Sequence, residues 1–191
     1  MLRVEHIRLR ADPALVRRAL GGAAGARVGE GPGERVVLGW EGGLDAHTQR
    51  IAGMDLLPEL LSTCEKAGLK VGFYGSTEKI LERTKMHLQN KFPQLDCPLF
   101  FSPPFRNLTE TEELEIIQMI NHSGIHLLFV VLGCPKQEKW MARMNGKVKG
   151  VMVGIGGALP VLIGSQKRAP KWMQEYGLEW FFRLQIGRAH V

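Results

Sequence analysis

The side chains best placed to do chemistry follow one apolar run. Leu127-Leu128-Phe129-Val130-Val131-Leu132 ends at Gly133, and Cys134, Pro135, Lys136, Gln137 and Glu138 come next. Proline is accepted where a helix begins, because its missing N–H would have no intrahelical partner there. The pattern is a buried strand handing over to a helix N-terminus, with polar side chains in the first turn. Such a junction presents backbone N–H groups at a sheet edge, a geometry that suits a diphosphate. Gln137 and Glu138 would stand beside it, and Lys136 would add a cation. Glu138 could orient a ligand hydroxyl, or has a plainer reading as a carboxylate complementing the helix dipole. A thiol at a helix head has a lowered pKa, but no base pairs with Cys134, so it reads as a small buried residue.

Other candidates lie before and after this junction. Arg50 precedes Gly53, where backbone can approach a ligand closely, and is the first choice for a contact to a phosphate. Asp55 fits the first turn of a helix. Gly75-Ser76-Thr77 and the run Gly154-Ile155-Gly156-Gly157 are glycine turns that bring backbone near a ligand or simply reverse the chain. Trp140, Trp172 and Trp180 read as core or interface anchors, and His126 as structural.

The elements that carry these residues alternate from Asp55 onward. Residues 55–67 read as a helix closed by Gly68. Lys70 to Tyr74 reads as a strand. Ser76 or Thr77 caps a helix to about Lys91, with Ile80, Leu81, Thr84 and Leu88 on one face. Leu95 to Phe101 is a strand weakened by Pro98. Thr109 and Glu112 form a capping box for a helix to about Asn121, with Leu114, Ile117 and Ile120 inward. Strand 126–132, helix 135–144 and strand 148–155 follow. This order predicts an α/β fold: a Rossmann-like, mainly parallel sheet flanked by helices, in a single domain.

The N-terminal part is atypical. The first 50 residues hold eight arginines, no lysine and nine of the 23 glycines. The stretch from Gly21 to Gly33 shows no helix or strand period. Residues 1–43 therefore read as a Gly/Arg-rich segment, either a flexible linker or a translation in the wrong frame.

The 191 residues suit one domain, and the net charge of +6 permits an anionic partner. Lys167, Arg168 and Lys171 concentrate part of that charge. No apolar run approaches the roughly 20 residues that span a bilayer, and no signal peptide is visible. Cys64, Cys97 and Cys134 form no CxxC pair, and the six histidines show no ligand spacing, so no metal site is indicated. No helix-turn-helix or RNA-binding signature points to nucleic acid.

Four ordered segments carry a resemblance. They are Arg50-Ile51-Ala52-Gly53-Met54-Asp55, Gly72-Phe73-Tyr74-Gly75-Ser76-Thr77, Gly133-Cys134-Pro135-Lys136-Gln137-Glu138-Lys139-Trp140, and Arg168-Ala169-Pro170 with Gly177-Leu178-Glu179-Trp180-Phe181-Phe182-Arg183-Leu184. Together they resemble the WecG/TagA/CpsF glycosyltransferase family over about residues 49–184, within a domain set at 44–184. The resemblance implies inverting transfer of N-acetylmannosamine or its uronic acid from a UDP donor. The implied acceptor is a GlcNAc-diphospho-polyprenol, and the products are teichoic acid or other surface polysaccharides. It implies a peripheral protein of the inner membrane face, no cofactor and no tightly held metal. A homo-oligomer is compatible with it. Gln137 matches the family's active-site glutamine and Arg50 its donor-contacting arginine. Gly53, Gly75, Ser76, Thr77, Gly133, Lys136, Glu138, Gly156 and Gly157 fall to the nucleotide-sugar.

The match departs at both ends. The family's Asp-Gly pair, about 18 residues before the arginine, carries the presumed general base; this chain has Glu30-Gly31-Pro32-Gly33-Glu34 there. Residues 185–191 do not continue the family's arginine-rich tail. Leu159-Pro160 replaces a Phe-Asp pair. Two other classes stay open: a UDP-sugar-binding chain impaired in catalysis, and a nicotinamide-dependent oxidoreductase, which lacks a G-x-G-x-x-G after its first strand.

Overall fold

The computed structural model describes residues 9–10, 26–31, 35–40, 53–166, 170 and 173. Three strands come first: β1 (Leu9–Arg10), β2 (Ala26–Gly31) and β3 (Arg35–Trp40). Helix α1 (Gly53–Lys66) leads into β4 (Val71–Gly75), α2 (Glu78–Lys91) and β5 (Leu99–Phe101). Then come α3 (Glu110–His122), β6 (Leu127–Val131), α4 (Lys136–Met144), β7 (Val151–Gly154) and α5 (Ala158–Leu162).

The strands form one sheet in the order β2-β3-β1-β7-β6-β4-β5. Strands β7, β6, β4 and β5 are parallel, and β1, β2 and β3 add an antiparallel flank. Side chains alternate between the two faces, as the pleat requires. On β6, Leu127, Phe129 and Val131 pack with Phe73 of β4 and Val153 of β7 against Leu57, Leu61 and Cys64 of α1 and Leu81 and Leu88 of α2. Leu128 and Val130 face the other way, with Ile116, Ile117 and Ile120 of α3 and Trp140, Met141 and Met144 of α4. Both faces of β6 are covered, which is why its sequence is apolar without interruption. The α/β, mainly parallel architecture expected from the sequence is the one observed.

The caps follow the sequence. Thr77 caps α2 by accepting the Ile80 N–H at 3.4 Å. Thr109 and Glu112 form the capping box of α3. Gly68, at φ +63°, follows the end of α1.

Four local expectations need correction. Leu114 is not on the inner face of α3; it is 59% exposed, and Ile116 is buried instead. Its direction lies about 110° from the mean of Ile116, Ile117 and Ile120 at 100° per residue. Glu113 points more nearly inward and pairs with Arg143 of α4 at 2.9 Å. Strand β5 is confined to Leu99–Phe101, because Pro98 offers no N–H to a ladder. Cys134 is exposed, since it lies on the turn beyond the sheet edge. Finally, the region without a strand period contains β2, which is poor in large apolar residues. Its register with β3, from Ala26↔Trp40 to Gly31↔Arg35, rests on backbone pairing and leaves no periodic signature.

Candidate active site

The parallel strands end together. Gly75 of β4 pairs with Val131 of β6, and Val130 pairs with Gly154 of β7. The turns that follow therefore share the carboxyl edge of the sheet, where α/β folds place their ligands. Helix α1 packs against α5, which begins just past that edge. Gly53 opens α1. Arg50, Lys167, Arg168 and Lys171 lie outside the described residues.

The first turn is tightly built. Gly75 has φ +106°, and a Cβ there would sit 2.6 Å from the Val131 carbonyl oxygen. Ser76 has φ +68°, a conformation that costs a non-glycine residue energy and clusters at functional sites. Its N–H donates to the Val131 carbonyl at 2.9 Å, and its carbonyl accepts from the Ser102 hydroxyl at 2.8 Å. The backbone N–H and carbonyl of Ser76 are thus both committed within the protein. The Thr77 hydroxyl oxygen is engaged as the cap of α2.

The second turn leads into α4. Gly133 has φ +74°, the Cys134–Pro135 peptide is cis, and Pro135 caps α4 with no side-chain hydrogen bond. Gln137 donates its backbone N–H to the Gly133 carbonyl at 2.9 Å. The buried face of α4 is Gln137, Trp140, Met141 and Met144, the helical spacing i, i+3, i+4, i+7. Trp140 stacks on Tyr74 of β4 with ring centroids 4.1 Å apart. Lys136 is exposed beside them.

The third turn receives Gln137. A Cβ on Gly154 would lie 2.9 Å from Gln137 Nε2, and one on Gly156 would lie 3.4 Å from Gln137 Oε1. The two glycines form a notch in which the amide lies, only 9% exposed. Gln137 Nε2 donates to Glu138 Oε1 at 3.1 Å. Gln137 Oε1 and Glu138 Oε2 are buried without a hydrogen-bond partner among the described residues. Gly157 ends the turn as the N-cap of α5.

The structure thus gathers Gly75, Ser76, Thr77, Gly133, Lys136, Gln137, Glu138, Gly156 and Gly157 along one edge. The chain belongs to the glycosyl transferase WecG/TagA/CpsF family, whose model matches residues 8–186. Two curated relatives are named N-acetylglucosaminyldiphosphoundecaprenol N-acetyl-beta-D-mannosaminyltransferase. The one from Bacillus subtilis (strain 168) is 30% identical over 136 residues, 71% of this chain and 51% of its own length. The one from Staphylococcus aureus (strain NCTC 8325 / PS 47) is 30% identical over 138 residues, 72% of this chain and 52% of its own. The chain spans about half the length of the curated relatives it matches.

For a family of glycosyl transferases the remaining ionisable groups are as informative as the site. Burial pushes the Tyr74 hydroxyl up to about 12, and the negative charge of Glu113 adds to the effect. Burial likewise pushes the Cys64 and Cys97 thiols up to about 12. These groups stay protonated near neutrality and cannot serve as bases there. His126 is structural: its Nδ1 accepts the Lys70 N–H at 3.0 Å. Among the described residues no group of three or more His, Cys, Asp or Glu could hold a metal ion, and no helix is long and apolar enough to cross a membrane.

Sequence reasoning named Gly154 only as part of a glycine turn and missed Tyr74 as a residue that builds the site. Gly154 gives Gln137 its room, and Tyr74 holds the helix that carries it. The glycine run hinted at the first. The stack depends on pairing two distant segments, and no local signal announces it.

Proposed function

We propose that this chain forms the sheet-edge site of an inverting glycosyltransferase. It moves an N-acetylhexosamine-type sugar, N-acetylmannosamine or its uronic acid, from a UDP donor to a GlcNAc-diphospho-polyprenol. The observation that carries the reading is the buried Gln137 amide, lodged in the Gly154–Gly156 notch at the head of α4 with its carbonyl oxygen unpaired among the described residues. A polar side chain buried with unmet hydrogen-bonding capacity costs stability unless a ligand completes it. The family match and the relatives' names, which specify a GlcNAc-diphospho acceptor and a mannosaminyl group, supply the chemistry.

Glycosyl transfer needs the departing diphosphate stabilised, the acceptor hydroxyl deprotonated and the two held in line. Lys136, Arg50 and the head of α4 supply positive charge for the diphosphate without a metal. Gly53, Gly75, Ser76, Thr77 and Gly133 shape the backbone around the donor. Basic residues near the C-terminus favour peripheral contact with an anionic membrane on the cytoplasmic side. The expected homo-oligomer is retained as part of the same proposal.

The test is release of UDP from UDP-N-acetylmannosamine on a GlcNAc-diphospho-lipid, with the product's anomeric configuration read by NMR. Absence of UDP release with every UDP-N-acetylhexosamine overturns the reading. A second reading is UDP-sugar binding without turnover, favoured by the missing Asp-Gly pair before Arg50. Calorimetry that detects donor binding with zero turnover selects it.

A further inference from the structure

Two acceptor atoms at the head of α4 have no use in the fold. Gln137 Nε2 donates to Glu138 Oε1 at 3.1 Å, while Gln137 Oε1 and Glu138 Oε2 are buried and unpartnered among the described residues. The amide orientation follows from chemistry. Turned over, its carbonyl would face Glu138 Oε1, acceptor against acceptor. The pair therefore presents two unpartnered acceptors, one of them on a carboxylate, and the second Nε2 N–H is the single donor beside them. An ionised diphosphate offers only acceptors and negative charge, so it cannot satisfy the two unpartnered acceptors and is disfavoured beside the carboxylate. A pyranose offers hydroxyl donors, and an N-acetylhexosamine adds an acetamido N–H.

We propose that Glu138 is a sugar-binding residue, its free carboxylate oxygen fixed by the Gln137 amide and accepting from a hydroxyl or acetamido N–H of an N-acetylhexosamine. Gln137 Oε1 accepts a second donor from the same ring. The proposal rests on the glycosyltransferase reading and narrows the sequence-based reading of Glu138, as a ligand-orienting residue, to a bond with the sugar ring. The diphosphate is left to Lys136 and the outer side of the helix head. The sugar belongs to the donor or to the acceptor lipid, and the two sources are separable.

The test is calorimetry on the full chain with three ligands: UDP, UDP-N-acetylmannosamine and a short-chain GlcNAc-diphospho-lipid. Glu138→Gln keeps the shape and replaces the free acceptor with a donor. The expected result is UDP affinity within about twofold of wild type. One of the two sugar-bearing ligands should weaken by about tenfold or more, the size of a hydrogen bond to a charged group. Loss on the nucleotide-sugar assigns the donor ring, and loss on the lipid assigns the acceptor ring. Equal loss on UDP and UDP-N-acetylmannosamine, or no loss on any ligand, overturns the proposal. Wild type that binds none of the three ligands defeats the glycosyltransferase reading itself, and this proposal with it. Should Glu138→Gln fail to fold, deoxy and deacetylated sugar analogues on the wild type decide. At least one missing donor group must cost a comparable factor, and none doing so overturns the proposal.

Discussion

Helices α3 and α4 lie on the same face of the sheet, yet their N-termini are built in opposite ways. At α3 the cap Thr109 and the first-turn Glu112 satisfy one another, while Glu113 reaches across to Arg143 of α4. Thr109 accepts the Glu112 N–H, Glu112 accepts the Thr109 N–H at 2.9 Å, and Arg106 donates to Glu112 at 2.8 Å. At α4 the cap is Pro135 with no side-chain hydrogen bond, and the first turn buries two acceptors unpaired among the described residues. A helix end that exists to hold a fold together closes its own hydrogen bonds. One that leaves buried capacity unmet is organised around something outside the helix. The first consequence is that stability and binding separate by position along α4.

Trp140 supplies the rigid half of that separation. It is 4% exposed and stacked on Tyr74. Trp140→Ala should cost about 3–5 kcal/mol of unfolding free energy, as large-to-small aromatic changes in cores do. The check is chemical denaturation, with Leu114→Ala as an exposed comparison expected to change stability by less than about 0.5 kcal/mol. Equal effects of the two substitutions would mean α4 is not held by this stack.

Gly154 supplies the other half. The atom its Cβ would strike is the mobile end of Gln137 rather than backbone. Gly154→Ala should therefore move the amide out of the notch and leave the fold intact. The expected outcome is roughly tenfold weaker UDP-sugar binding, about 1.4 kcal/mol, with a melting temperature within a few degrees of wild type. A full loss of folding would show the notch to be structural. Unchanged binding would show the amide's position to be immaterial.

This contrast also marks what the sequence could tell. The caps at Thr77 and Thr109, the apolar run of β6 and the turn at Gly133 are local patterns, and each appears where its residues predict it. The edge turns were legible for the same reason: glycine is required where φ is positive or backbones touch, as at Gly75. The burial of Gln137 was not legible, because it depends on β6 and β7 pairing in one register so that Gly154 opposes α4. The face of α3 was misread because Leu114, three residues before Ile117, still lies well away from the mean direction of Ile116, Ile117 and Ile120. The ion pair of Glu113 with Arg143, on another helix, accompanies the observed outcome. Strand β2 was invisible because Ala26 to Gly31 carries no sustained apolar alternation, and its pairing with β3 is a long-range fact the local sequence does not announce.

The self-contained helix head predicts a pH signature. Hydrogen bonds from Arg106, then from the Thr109 backbone, hold the Glu112 carboxyl at about 2. In the unfolded chain a glutamate titrates near about 4.3. A folded value below the unfolded one means that the stabilisation is complete above the unfolded pKa and is lost as pH falls toward the folded value. Glu112→Gln should therefore be less stable than wild type at neutral pH, and the gap should narrow between about pH 4.3 and about pH 2. Urea denaturation across that range measures it. A gap that stays constant down to pH 2 would mean that Glu112 acts through shape alone. Because the network is partly exposed, added salt should shrink the same gap at neutral pH, as screening of a surface ion pair requires. Salt should leave the Trp140→Ala loss nearly untouched, since that loss is apolar burial.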